Sequence, residues 1–228
     1  MKKFLLLIII LLLIVFGIGW FALPEMVESG LEGYLAEKVP SEKIEVKMDL
    51  QNPLLLLAGT VSHIRADGSR VTLDPLTYDH LTIDLNHVKF NMLKLVTEHR
   101  FEPESIGGGT LGATLTAADL QTYLQGRVDN IDNLQVEIDD RQINVTGDVD
   151  LAGLLSGTVL VSGEPLLYDN VLQIRPTDLK FNNMGFAGVT TNFMKPIKVY
   201  DFRDFPWPVT ANKVELSNHS VVMTALVR

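Results

Sequence analysis

The side chains that could do chemistry in this chain fall into four groups. Five histidines, His63, His80, His87, His99 and His219, are scattered with no pair at i, i+4 spacing and no carboxylate set beside them, so no metal cluster is expected. The best carboxylate pairs are Asp139-Asp140 and Asp201 with Asp204. The first falls at a predicted hairpin tip, where Asp serves turn chemistry rather than acid/base work. Gly107, Gly108 and Gly109 form the one glycine run, but Gly112 does not restore a phosphate-binding spacing, and a tight bulge or backbone crossing is the expected role. There is no G-x-S-x-G elbow, Walker lysine loop, H-E-x-x-H pair or G-x-G-x-x-G after a strand, so no enzyme is expected. Asn144 and Asn218 match the glycosylation triplet, a cheap signal inside or beside predicted strands.

The fourth group is apolar and cationic together. Of ten phenylalanines, five (Phe181, Phe186, Phe193, Phe202 and Phe205) share one short stretch near the C-terminus. Met184, Met194, Tyr200 and Trp207 join them, with Lys180, Lys195, Lys198 and Arg203 interspersed. An acyl chain needs the flexible apolar groups, and a phosphate head group needs the cations, because charge-assisted hydrogen bonds are the stronger ones. With Phe90 and Met92, these aromatics and methionines are the expected lining of an apolar groove, and Lys195, Lys198 and Arg203 the expected head-group contacts. The same residues would equally serve as ordinary core with a solvated rim.

Several elements must position these groups. Residues 4–22 carry no charge and follow Lys2 and Lys3. As a helix this run rises about 28 Å, close to the ~30 Å hydrocarbon core, and exceeds the usual signal-peptide core of about 7 to 15 residues. Cleavage after Ala22 would set bulky Trp20 where a small residue is wanted. Residues 1–22 therefore read as an uncleaved signal-anchor, with the N-terminus cytoplasmic and residues 23–228 forming one extracytoplasmic domain. Next, Leu23, Met26, Val27, Leu31, Tyr34, Leu35 and Val39 mark one face of a helix that Pro40 closes. From residue 42 the period becomes 2, with Ile44, Val46, Met48 and Leu50 on one side of a strand.

Leu81, Ile83 and Leu85 alternate likewise, then shift parity to Val88, Phe90 and Met92 across Asn86-His87, which a bulge would absorb. The four leucines at 54–57 are too few for a second span and read as a buried turn or interfacial loop. Residues 136–145, 165–174 and 214–223 read as three hairpins, and 116–126 as a helix capped by Thr116 and Asp119. The whole is an α+β domain built on an antiparallel meander.

Composition narrows the partners. A net charge of −9 and a pI near 5.0 leave no basic field for nucleic acid. Without cysteine there are no disulfides, thiolate metal sites, thiol nucleophiles or lipid-modified N-terminal cysteine.

The order of anchor, helix, the segment SIGGGTLGATLTAADLQTYL at 105–124, glycine-separated hairpins and PWPV at 206–209 resembles the LmeA-like phospholipid-binding family of bacterial envelope proteins. The resemblance implies one arm of a tubular lipid-binding fold, a strongly curved antiparallel sheet wrapped around a helix. It also implies a membrane-held phospholipid-binding or lipid-transfer ectodomain in envelope lipid or glycolipid biogenesis, with no cofactor and no catalytic set. An envelope scaffold that recruits a protein partner is the other open function.

Overall fold

The computed structural model describes Gly17 and residues 23–49, 54–128, 131–150, 156–185, 195–217 and 219–228. The expected anchor, Gly17 apart, lies outside the described residues, among which no helix is long and apolar enough to cross a membrane. The chain is mostly β, with few helices and open antiparallel sheets rather than a closed barrel. Its strands are β1 (Lys43–Asp49), β2 (Thr60–Leu73), β3 (Leu76–Phe90), β4 (Pro103–Thr116), β5 (Ile131–Ile138), β6 (Ile143–Asp150), β7 (Ser156–Tyr168), β8 (Val171–Phe181), β9 (Met184–Gly185), β10 (Ile197–Asp201), β11 (Val209–Ser217) and β12 (Ser220–Val227). Hydrogen bonding orders them β1-β2-β3-β4-β12-β11 and β10-β8-β7-β6-β5, with β9 on β8. The helices are α1 (Leu23–Lys38), α2 (Leu54–Leu57), α3 (Met92–Glu98) and α4 (Ala117–Gln125).

The chain divides into two compact units, one of residues 1–68, 82–110 and 228, the other of 69–81 and 111–227. In the first, Leu23, Val27, Leu31 and Leu35 bury one stripe of α1 at the i, i+4 spacing seen in the sequence. The helix packs on β1, whose Val46 is buried, while Phe101 stacks on Phe90 and meets Tyr34. The parity change in β3 is present: Leu81, Ile83 and Leu85 are buried, then Val88 and Phe90, with His87 at φ +51 taking up the step. Gly109 explains the glycine run, since a Cβ there would stand 2.2 Å from the Asp84 carbonyl oxygen, and Gly108 has φ +132. Two backbones cross there, as the sequence suggested.

One element of this unit sharpens the expectation and another departs from it. The four-leucine segment is a helical turn that buries Leu56 and leaves Leu55 and Leu57 exposed, because one turn can point only part of such a run inward. The strand expected to reach Met92 stops at Phe90. Asn91 then caps α3, its side chain accepting the Lys94 N–H at 3.0 Å, an N-cap that outweighs the alternation.

In the second unit all three hairpins form. Ile138 pairs Ile143, Tyr168 pairs Val171 through Asp169 and Asn170, both at positive φ, and Ser217 pairs Ser220. Asp139 closes the first by accepting from the Arg141 and Gln142 N–H groups at 2.7 and 2.8 Å, which holds its carboxyl below the usual range. Thr116 and Asp119 cap α4 as expected, the Asp119 N–H reaching Thr116 Oγ1 at 3.3 Å. Asp119 is also buried and accepts Arg70 Nη1 at 2.6 Å, a partner 49 residues away that no local pattern announces.

Candidate lipid-binding site

The aromatic segment of the second unit is built where β10 ends. Tyr200 and Phe202 are buried and meet edge to face at 5.3 Å, with Tyr78 of β3 extending the chain of rings at 6.1 Å from Tyr200. Burial pushes both tyrosine phenols well above their ordinary pKa, and the nearby carboxylates of Asp204 and Asp201 add to the effect at Tyr200. After the 3-10 turn Phe202–Asp204, the chain runs Phe205-Pro206-Trp207-Pro208 into β11. Two prolines prevent regular pairing there and leave a cleft of about 380 Å³, lined by Phe202, Arg203, Phe205, Trp207 and Val209 among others. Phe205 and Trp207 meet edge to face at 4.8 Å in its wall. The Trp207 Nε1 donor is buried and has no hydrogen-bond partner among the described residues.

A charged cluster flanks the cleft. Asp201 accepts Arg203 Nε and Nη2 at 2.8 Å each and Lys198 Nζ at 2.9 Å, and it also caps the 3-10 turn through the Arg203 N–H at 3.1 Å. Arg203, before Lys198, holds the Asp201 carboxyl far below the usual carboxylate range. Arg203 also faces Asp169 at 3.6 Å and feels Asp204, so these two cations stand among three carboxylates rather than bare.

The expected site residues are thus distributed as follows. Phe202 and Phe205 are buried, Trp207 is half-buried, and all three border the cleft. Phe181 is half-buried at the end of β8, its ring close to Gly157, and Met184, paired opposite it, is 68% exposed. Lys195 is exposed, and Lys198 and Arg203 are engaged by Asp201. Phe90 and Met92 belong to the first unit, Phe90 buried against Phe101 and Met92 half-buried at the start of α3. Phe186, Phe193 and Met194 lie outside the described residues. Sequence reasoning did not single out the Asp201 anchor for both cations, though its i−3 and i+2 spacing to Lys198 and Arg203 was readable. It also missed the orphaned indole N–H, which no sequence signal reports.

The histidines make local contacts or occupy turn positions. His63 Nδ1 lies 3.1 Å from Asn86 Oδ1, His219 Nδ1 meets the Ile138 carbonyl at 2.9 Å, and His87 and His99 occupy positive-φ positions. Among the described residues no group of three or more His, Asp or Glu could hold a metal ion.

Open antiparallel sheets carrying a proline-bounded aromatic cleft define a β-rich protein. The family model for LmeA-like phospholipid-binding proteins matches residues 18–225, and the chain belongs to that family. No curated protein and no solved structure matches it significantly.

Proposed function

We propose that this protein is a non-enzymatic, membrane-anchored extracytoplasmic protein that binds anionic glycerophospholipid in its aromatic cleft and serves cell-envelope lipid or glycolipid biogenesis, by holding or transferring the lipid. Family membership supports the phospholipid. The observation that carries the choice of site is the cleft that Phe202, Phe205 and Trp207 line beside Arg203, where Trp207 also keeps a buried Nε1 donor without a partner. Leaving such a donor unmade costs about 1–3 kcal/mol, which an ester or phosphate oxygen would recover if the indole turned its N–H toward the cleft. The cleft, about 380 Å³, is at the small end of ligand pockets and takes part of one chain. At ~0.8 kcal/mol per methylene, six to eight buried methylenes offer about 5 to 6 kcal/mol before entropic losses. The curved sheet around a helix that the resemblance implies would extend this apolar surface, and the exposed Lys195 is proposed to meet the head group.

The test is mass spectrometry of organic extracts from the purified full chain, beside Trp207→Phe, which keeps an aromatic ring, though a smaller one, and removes the donor. Co-purified phospholipid that falls severalfold in the variant, with the circular dichroism spectrum unchanged, supports the site. Equal lipid in both proteins moves the site elsewhere, and no lipid in either removes the binding function.

A further inference from the structure

Three features of the first unit meet at one end of its sheet. α2 runs directly into β2 through Gly59, and α3 runs directly out of β3 through Asn91. The Phe90 N–H donates to the Gly59 carbonyl at 2.8 Å, and a Cβ on Gly59, which has φ +66, would stand 3.8 Å from the Met92 Cβ. The two short helices therefore leave the same end of the β2–β3 pair. α1 reaches that end too: a Cβ on Gly30 would lie 2.8 Å from Leu95 Cδ1, and Glu25, Met26, Ser29 and Gly30 share a cavity with Leu95 and His99 of α3 and its cap.

The apolar side chains at this end are divided. Leu56 and Leu95 point inward and are buried. Leu55, Leu57, Leu93 and Val96 are 38%, 44%, 71% and 48% exposed. Leu93 and Val96 stand at i, i+3 and so on one face of α3, while Lys94 beside them is drawn to Glu102. A soluble surface rarely concentrates large aliphatic groups in this way without an occupant.

What covers them follows from the chain outside the described fold. The uncharged run 4–22 joins α1 at Leu23 with no linker, and Gly30, beside Leu95, is only about 10 Å of helix rise from that junction. A span ending at residue 22 would hold Gly30, and α3 beside it, within about 10 Å of the hydrocarbon edge, within reach of the head-group layer in which amphipathic segments bury an apolar face. We infer that α2 and α3 form a membrane-docking edge in which Leu55, Leu57, Leu93 and Val96 insert among lipid chains of the bilayer that holds the anchor. This rests on the anchor reading of residues 4–22 but not on the cleft.

The test uses the full chain in phospholipid vesicles, where the absence of native cysteine makes single labels clean. A fluorophore is attached at Leu93→Cys, Val96→Cys or Glu37→Cys, the last an exposed site about 21 Å of helix rise from Leu23. Lipids with a quencher in the acyl region are expected to quench the labels at 93 and 96 at least twofold more than the label at 37. Equal quenching at 93 and 37 overturns the docking edge. Alkaline carbonate extraction of the same vesicles reports the anchor separately, so retention in the membrane with equal quenching removes the docking edge and spares the anchor. A chain that is stripped from the vesicles removes the anchor, and the docking edge with it. Loss of cleft lipid would show in neither readout.

Discussion

The guanidinium of Arg203 donates from Nε to one oxygen of Asp201 and from Nη2 to the other, at 2.8 Å each, although only one residue separates them. With Lys198 on the same carboxylate, the cations beside the cleft are fixed before any lipid arrives. The folded-state pKa of Asp201 is depressed below 3.8, so its stabilisation is fully present above that value and is lost as pH falls through the lower, folded value. Asp201→Asn should therefore lower Tm at pH about 7, and the gap from wild type should shrink on acidification below about 4. A gap independent of pH would mean that the pairs do not stabilise the fold. The same variant releases Arg203 and Lys198, and it should retain more anionic lipid than wild type while being less stable.

Legibility divides by the range of the interaction. The hairpins at 136–145, 165–174 and 214–223 were readable because alternation and turn chemistry are local, and the pair Asp169-Asn170 at positive φ is the kind of turn those residues favour. α1 and α4 were readable for the same reason, through a buried stripe and a cap. β2 went unread because its buried set changes phase twice, at 61 to 64 and again at Arg70, whose φ of +50 resets the alternation. The aromatic stretch announced that something apolar was there. It could not announce which rings would be buried away from the cleft, as Tyr200 is, and which would border it, because burial is decided by partners such as Tyr78 more than a hundred residues away. Phe202→Asp is consequently a test of folding, and Trp207→Phe the test of the site.

Two glycines of the first unit should respond in opposite directions. Gly109 faces the Asp84 carbonyl so closely that a Cβ would sit 2.2 Å from it, so Gly109→Ala forces the strands apart and should cost about 1–3 kcal/mol. Nothing lies within 4 Å of a Cβ on Gly33, inside α1, so Gly33→Ala should stabilise by about 0.5–1 kcal/mol. Urea midpoints of the two variants check both signs, and an unchanged midpoint for Gly109→Ala would contradict the close crossing.

Thr116 joins a strand to α4 and shares its hydroxyl with Asp119, which in turn holds Arg70. Thr116→Ala removes the cap and should cost about 0.5–2 kcal/mol. Arg70→Ala strands the buried Asp119 carboxylate and should cost more than the cap alone. Because the three groups form one network, the double variant should lose less than the sum of the single losses. Denaturant titration of the set would detect strict additivity, which would show that cap and ion pair act independently.

The charges around the cleft also predict how lipid retention answers to salt. Lys198 and Arg203 stand among Asp201, Asp169 and Asp204, so this group carries no excess of positive charge to attract an anionic head group, and what field it has is screened beyond a Debye length, about 10 Å at 0.1 M. Acyl burial in the cleft formed by Phe202, Phe205 and Trp207 is indifferent to ionic strength. Raising salt from about 0.05 to 0.5 M should then change the amount of lipid held by the full chain by less than about twofold. Lys198→Gln should behave similarly: it removes one of Asp201's partners, lowering Tm slightly because that lysine is well exposed, and leaves retained lipid close to wild type. Phe205→Ala should do the reverse at the site, opening the wall against Trp207 and reducing retained lipid severalfold. A tenfold loss of lipid with salt, or with Lys198→Gln, would instead make head-group charge the main source of affinity and would require the Asp201 pairs to open when lipid binds.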